Sequence, residues 1–92
     1  MEEKEENPRE NEVWTTSLNE EIFVPEMETT HVQNTVLFLI RKQEACTLHN
    51  LGNYRVNDRT ALEWIELLKA ELQYREDKIN YSLRSEKTAV TL

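Results

Sequence analysis

Cys46-Thr47-Leu48-His49 has the C-x-x-H spacing of half a metal site. A structural zinc site needs two more ligands, and the one remaining Cys or His is His31, so neither a metal nor a cofactor is expected. Nucleophilic catalysis by Cys46 would need a thiolate, and its sequence neighbours supply neither an activating helix N-terminus nor an oxyanion loop. With Gly52 as the single glycine, no glycine-rich phosphate loop is possible. Acids such as Glu63, Glu66 and Glu76 fall on helix positions that face solvent. The expectation is a protein without catalytic residues, one that acts by binding.

The candidates for binding are of two kinds. His31 and Asn34, three residues apart, share one side of a helix start. There they either tie a neighbouring element down by bonding buried backbone groups, or face a ligand or partner chain. Arg55, Arg59, Arg75 and Lys78 are the bases that an anionic, nucleotide-like ligand would require, since guanidinium forks match phosphate. Tyr54, Trp64, Tyr74 and Tyr81 are read as exposed aromatics of the sort that anchor protein partners.

Positioning these side chains falls to a chain of 92 residues, one domain at most and near the lower limit for an unassisted core. Residues 1–12 hold six Glu against Lys4 and Arg9, a net of -4, and residues 13–92 hold twelve acids against nine bases, a net of -3. No stretch interleaves bases with aromatics, which argues against direct nucleic-acid binding. The opening residues lack the basic end and apolar run of a secretory signal, and Val36 to Ile40 is far too short to span a bilayer. A cytoplasmic protein with no membrane association is expected.

Residues 1–12 contain no apolar residue after Met1 and are expected to form a disordered acidic arm. Residues 13–24 read as a β-hairpin around the polar bend Ser17-Leu18-Asn19-Glu20, anchored by Trp14, Ile22 and Phe23. A first helix is expected over residues 29–45, capped by Thr30 with Gln33 or by Thr29, with Val32, Val36, Leu39 and Ile40 on one face. Residues 46–57 read as a loop. A second helix over residues 58–84, capped by Asn57 or Asp58, carries the stripe Ala61, Ile65, Leu68, Leu72 and Ile79, widened by Trp64 and Leu67; residues 85–92 form a frayed tail. The fold class is mostly α (α+β): a β-hairpin packed on an antiparallel two-helix hairpin.

Trp14-Thr15-Thr16, an apolar strand leading to Glu26-Met27, His31-Val32-x-Asn34, Ala61-Leu62-x-Trp64-Ile65 and Glu71-Leu72-x-x-Arg75 together resemble a pattern in small uncharacterised accessory proteins of tailed bacteriophages. The resemblance covers roughly residues 13–76, and Ser17-Leu18-Asn19-Glu20 stands where that group carries a glycine-containing turn. It implies an accessory gene product acting on host or anti-phage defence machinery. Three functions are consistent with it: inhibition of a host or defence protein, an oligomeric sponge for a nucleotide-like signal, and a DNA mimic. The mimic is disfavoured by the -3 carried by residues 13–92.

Self-association is expected as well. Val36-Leu37-Phe38-Leu39-Ile40 places apolar side chains all round the first helix, at about 100° per residue, and one helix plus one hairpin cannot cover them all. The expected interface is Leu37, Phe38, Leu62, Leu67, Ile79 and Leu83 in a homo-oligomer.

Overall fold

The computed structural model describes residues 7–91, with side chains placed through residue 82. Its elements are β1 (Val13–Thr15), β2 (Glu21–Phe23), a 3-10 turn (Val24–Glu26), α1 (Thr29–Leu48), β3 (Arg55–Val56), β4 (Arg59–Thr60) and α2 (Ala61–Thr91). The α+β architecture is the one expected, an N-terminal hairpin on a helical hairpin, with a second small hairpin added between the helices.

In the first hairpin Trp14 pairs with Ile22 and Val13 with Phe23. The two-residue side-chain period therefore turns Trp14 and Ile22 inward and Phe23 outward, so Phe23 is exposed and not an anchor. The bend manages without glycine because Asn19 adopts φ 67° and the Thr16 hydroxyl accepts hydrogen bonds from the Leu18 and Glu20 amides. Pro25 then ends the sheet, and the chain enters the 3-10 turn that buries Val24 and sets Met27 into the core.

α1 starts at Thr29 with Glu28 in the N-cap position and no side-chain cap, so the expected Thr30–Gln33 capping box does not form. Its other end lies beyond the expected residue 45. Asn50, at φ 60°, takes the left-handed position after the helix, with hydrogen bonds from Leu51 N to Cys46 O and from Asn50 N to Thr47 O. This is a Schellman close with asparagine in the place of glycine. The expected loop 46–57 thus begins as helix and ends as a second hairpin, in which Asn57 and Asp58 at φ 50° and 68° make the two-residue type I′ turn between Val56 and Arg59. Those two residues turn the hairpin and do not cap α2. Thr60 caps it, since Glu63 N donates to the Thr60 hydroxyl and Thr60 N donates to Glu63 Oε1, a capping box. α2 continues through Thr91, past the end expected at residue 84.

The core is Trp14, Val24, Met27, Val32, Val36, Leu39, Ala61, Trp64 and Leu68. The Trp14 and Trp64 rings meet edge to face, with centroids 5.0 Å apart, and the Trp64 indole donates to Val56 O at 2.8 Å. That bond satisfies the one polar atom that burying tryptophan brings inside. On α2 the buried positions are Ala61, Trp64, Leu68 and Glu71, with Ile65, Leu67 and Leu72 half-buried beside them. Ile79, expected in the core stripe, is 59% exposed, because Arg75 already reaches Thr29, the first residue of α1. Beyond that level α2 has no helix beside it. With 31 residues against 20, α2 outruns α1 by roughly 16 Å at the standard rise.

Candidate interaction surface

The most buried polar side chain is Glu71, 1% exposed on α2. Asn7 Nδ2 and Arg9 Nε both donate to its Oε1 at 2.9 Å, and Arg75 Nε donates to its Oε2 at 2.7 Å. Burial pushes the Glu71 carboxyl up, but the hydrogen bonds from Asn7, Arg75 and Arg9, with the Arg75 charge, outweigh that and hold it below the usual carboxylate range. Arg75 continues outward: Nη1 donates to the Thr29 hydroxyl at 3.0 Å, and Nη2 to Val24 O at 3.1 Å and Pro25 O at 3.3 Å. One carboxylate and one guanidinium thereby join α2, the 3-10 turn, the start of α1 and the segment before β1.

This network corrects two sequence expectations. Within residues 7–12 of the arm, Asn7 and Arg9 are held by Glu71 on α2 and Glu12 by Arg59 and Val24, while residues 1–6 lie outside the described residues. Arg75 is a structural residue with all three guanidinium nitrogens engaged, leaving no fork for a phosphate. Arg59 is similarly committed, paired with Glu12 at 2.8 Å and set 5.1 Å from the Trp64 ring centre. Lys78 lies 5.5 Å from the Tyr74 ring centre, and Arg55 is exposed beside the type I′ turn. Arg55 and Arg59 flank Glu63, whose carboxyl is held below its ordinary range first by the Thr60 amide and hydroxyl, and less by these two charges. Arg55, Arg59, Arg75 and Lys78 each have a local partner, and they do not converge on a common pocket.

His31 and Asn34 do come together. With Trp14, Thr16, Ser17, Thr35 and Phe38 they line a depression of about 240 Å3 between the first hairpin and α1. The Thr35 hydroxyl donates to His31 O at 2.7 Å, and the Thr16 hydroxyl is occupied by its bend. The His31 and Asn34 side chains make no hydrogen bond among the described residues, so they do not tie the hairpin down. Phe38 forms the rim, 43% exposed, with Tyr54 edge-on at 6.5 Å and Lys42 Nζ 5.6 Å from its ring centre. Leu37 is also exposed, but the helical step of about 100° per residue turns it away from this depression. The result is an open apolar and aromatic surface, with an imidazole and an amide that make no side-chain hydrogen bond among the described residues and the Lys42 ammonium against its aromatic rim. Such a mix suits contact with another protein better than enclosure of a small molecule.

Other candidates fall elsewhere. Trp64 is buried and cannot anchor a partner, and Leu67 packs against the core. Leu62 and Ile79 are exposed on α2, and the Leu83 side chain lies outside the described residues. Cys46 sits in the last turns of α1 and His49 just past its end, and among the described residues no group of three or more His, Cys, Asp or Glu is gathered to hold a metal ion. No helix among the described residues is long and apolar enough to cross a membrane. Compared with protein-family models, curated proteins and solved structures, the chain matches none.

Proposed function

We propose that this chain is a non-catalytic accessory protein of a tailed phage that binds a host or anti-phage defence protein in the host cytoplasm and blocks it. The observation that carries the binding reading is the surface formed by His31, Asn34 and Phe38, where an exposed aromatic rim meets polar side chains that have no hydrogen-bond partner among the described residues. Exposed aromatics amid unpaired polar groups are the material of protein-interface anchors. The phage attribution rests on the sequence resemblance alone. The sponge reading is weaker, because Arg75 and Arg59, which it would need for an anionic ligand, are engaged within the fold.

The test is capture with the immobilised protein from lysates of candidate hosts, followed by identification of the bound polypeptide and an assay of its activity. Phe38→Glu and His31→Ala are expected to lose the captured partner and leave its activity uninhibited, while circular dichroism stays that of the parent. A nucleotide-like compound released on heat denaturation, with no polypeptide captured, would overturn the inhibitor reading in favour of the sponge.

A further inference from the structure

The two flanks of the helix pair are unlike. His31, Thr35 and Phe38 of α1 border the first hairpin. Gln33 and Ile40, each two residues further on from His31 and Phe38, stand about 200° around the helix and so on the opposite flank. On that flank no β element intervenes. Thr29 and Gln33 of α1 line a groove of about 460 Å3 with Lys69, Leu72, Gln73, Arg75, Glu76 and Ile79 of α2. The half-buried Ile65 and the exposed Leu62 lie on the same side of α2, at helical spacing from Lys69.

From this geometry we infer that the flank pairs with the same flank of a second copy, α2 against α2 and antiparallel, around a twofold axis passing between Leu72 and Gln73. Three observations choose that occupant. First, the charges are self-complementary. Lys69 and Glu76 line the groove, stand three and four residues from Leu72 on either side, and make no ion pair among the described residues. An antiparallel twofold at that point sets Lys69 of each copy against Glu76 of the other, twice over, as an isologous interface requires. Second, the apolar residues correspond. The overhang of α2 beyond Arg75, including the exposed Ile79, runs along the Leu62–Ile65 stretch of the second copy, which supplies the helix that α1 is too short to provide. Third, in a chain of net charge -7 the centre of this groove holds a lysine beside its glutamate, so two acidic molecules can meet there with opposite charges facing.

Phe38, expected at the oligomer seam from its sequence, borders the hairpin flank instead, so the dimer presents two copies of that surface outward; Leu37, four residues on from Gln33, stands on the seam side of α1. The seam does not depend on the function proposed above, and Phe38→Glu should leave the dimer intact.

The experiment is sedimentation equilibrium of the full chain from low to high micromolar concentration. The wild type should sediment at twice 11.0 kDa. Lys69→Glu and Glu76→Lys, each placing like charges at both symmetric contacts, should each raise the dimer dissociation constant by roughly tenfold or more. Both positions are exposed, and an unchanged circular dichroism spectrum shows that the variants fold. Mixing the two variants in equal amounts should restore the dimer mass, because all four facing charges are then opposite in sign. A wild type that stays monomeric throughout, a single variant as dimeric as the parent, or a mixture that fails to reassociate would each overturn the inference.

Discussion

Glu71 shows how a single acid on an apolar stripe can organise a small fold. Its spacing from Trp64 and Leu68 is that of a core residue, and the Glu71→Arg75 order at i,i+4 is the favourable one on a helix. Both signals stand in the sequence, but a stripe traced through its apolar members passes over the acid. Trp14 and the Val32, Val36 and Leu39 face are legible because apolar burial is what periodicity reports, whereas Trp64, which the sequence offers both as widening the stripe and as an exposed anchor, is buried. A buried carboxylate becomes visible only once its donors are found, and here two of them lie more than sixty residues away. Removing Arg75 would leave Glu71 short of a donor, Pro25 O without the Arg75 hydrogen bond and Val24 O with the Met27 amide alone, so Arg75→Ala should destabilise by roughly 3 kcal/mol or more. The pH dependence follows from the direction of the Glu71 shift. Because its folded-state pKa is depressed, its stabilisation is fully present above the unfolded carboxylate value of about 4.3 and is lost as pH falls through the lower folded value. Melting temperatures of the wild type and Glu71→Gln should therefore differ at neutral pH and converge in acid. Equal separation at pH 7 and at the acid end would show that the carboxylate charge is not what matters.

At the level of elements, most departures from the sequence reading are at ends, and each has a capping or turn residue behind it. Asn57 and Asp58 are good N-cap residues, but they are equally good in the left-handed positions of a type I′ turn. Val56 and Arg59 on either side of them complete a hairpin, and Thr60 with Glu63 then supplies a better cap three residues on. Thr60-x-x-Glu63 carries the capping-box pattern, and Asn57 upstream of it competes as a cap. The end of α1 is as hard to see, since an asparagine, Asn50, takes the left-handed position that closes the helix. If Thr60 is the cap, Thr60→Ala should cost about 1 kcal/mol and lower the melting temperature by about 4–8 °C. Thr60→Ser, which keeps the hydroxyl, should recover most of the loss. No change on Thr60→Ala would place the start of α2 under the control of packing rather than of the cap.

For the whole molecule, the telling segment is Asn7 to Glu12. By composition it belongs with disordered chain, since it has no apolar residue with which to offset its ordering entropy. It is ordered instead by polar work done at both of its ends. Asn7 and Arg9 satisfy the buried oxygen of Glu71, and Arg9 also lies 5.5 Å from the Tyr74 ring centre. At the other end Glu12 pairs with Arg59 and accepts a backbone hydrogen bond from Val24 N at 2.8 Å, which lengthens the first hairpin by one rung. Between the ends, the Asn7 side chain accepts from Arg9 N, and the Glu10 and Glu12 amides bond back to Asn7 and Arg9 carbonyls, so the six residues fold on themselves as they cross. The segment therefore joins α2 to the hairpin through polar groups at both ends. A chain shortened to begin at Val13 would leave Glu71 Oε1 buried with neither of its donors, a loss of roughly 2–4 kcal/mol. In a domain of this size that is a fall in melting temperature on the order of 10 °C or more. The double variant Asn7→Ala with Arg9→Ala should reproduce most of the fall, because it removes the same donors while keeping the backbone. If the shortened chain instead melts with the parent, the Glu71 carboxylate must be fully satisfied by Arg75 and water, and the segment would be a passenger on a fold completed without it.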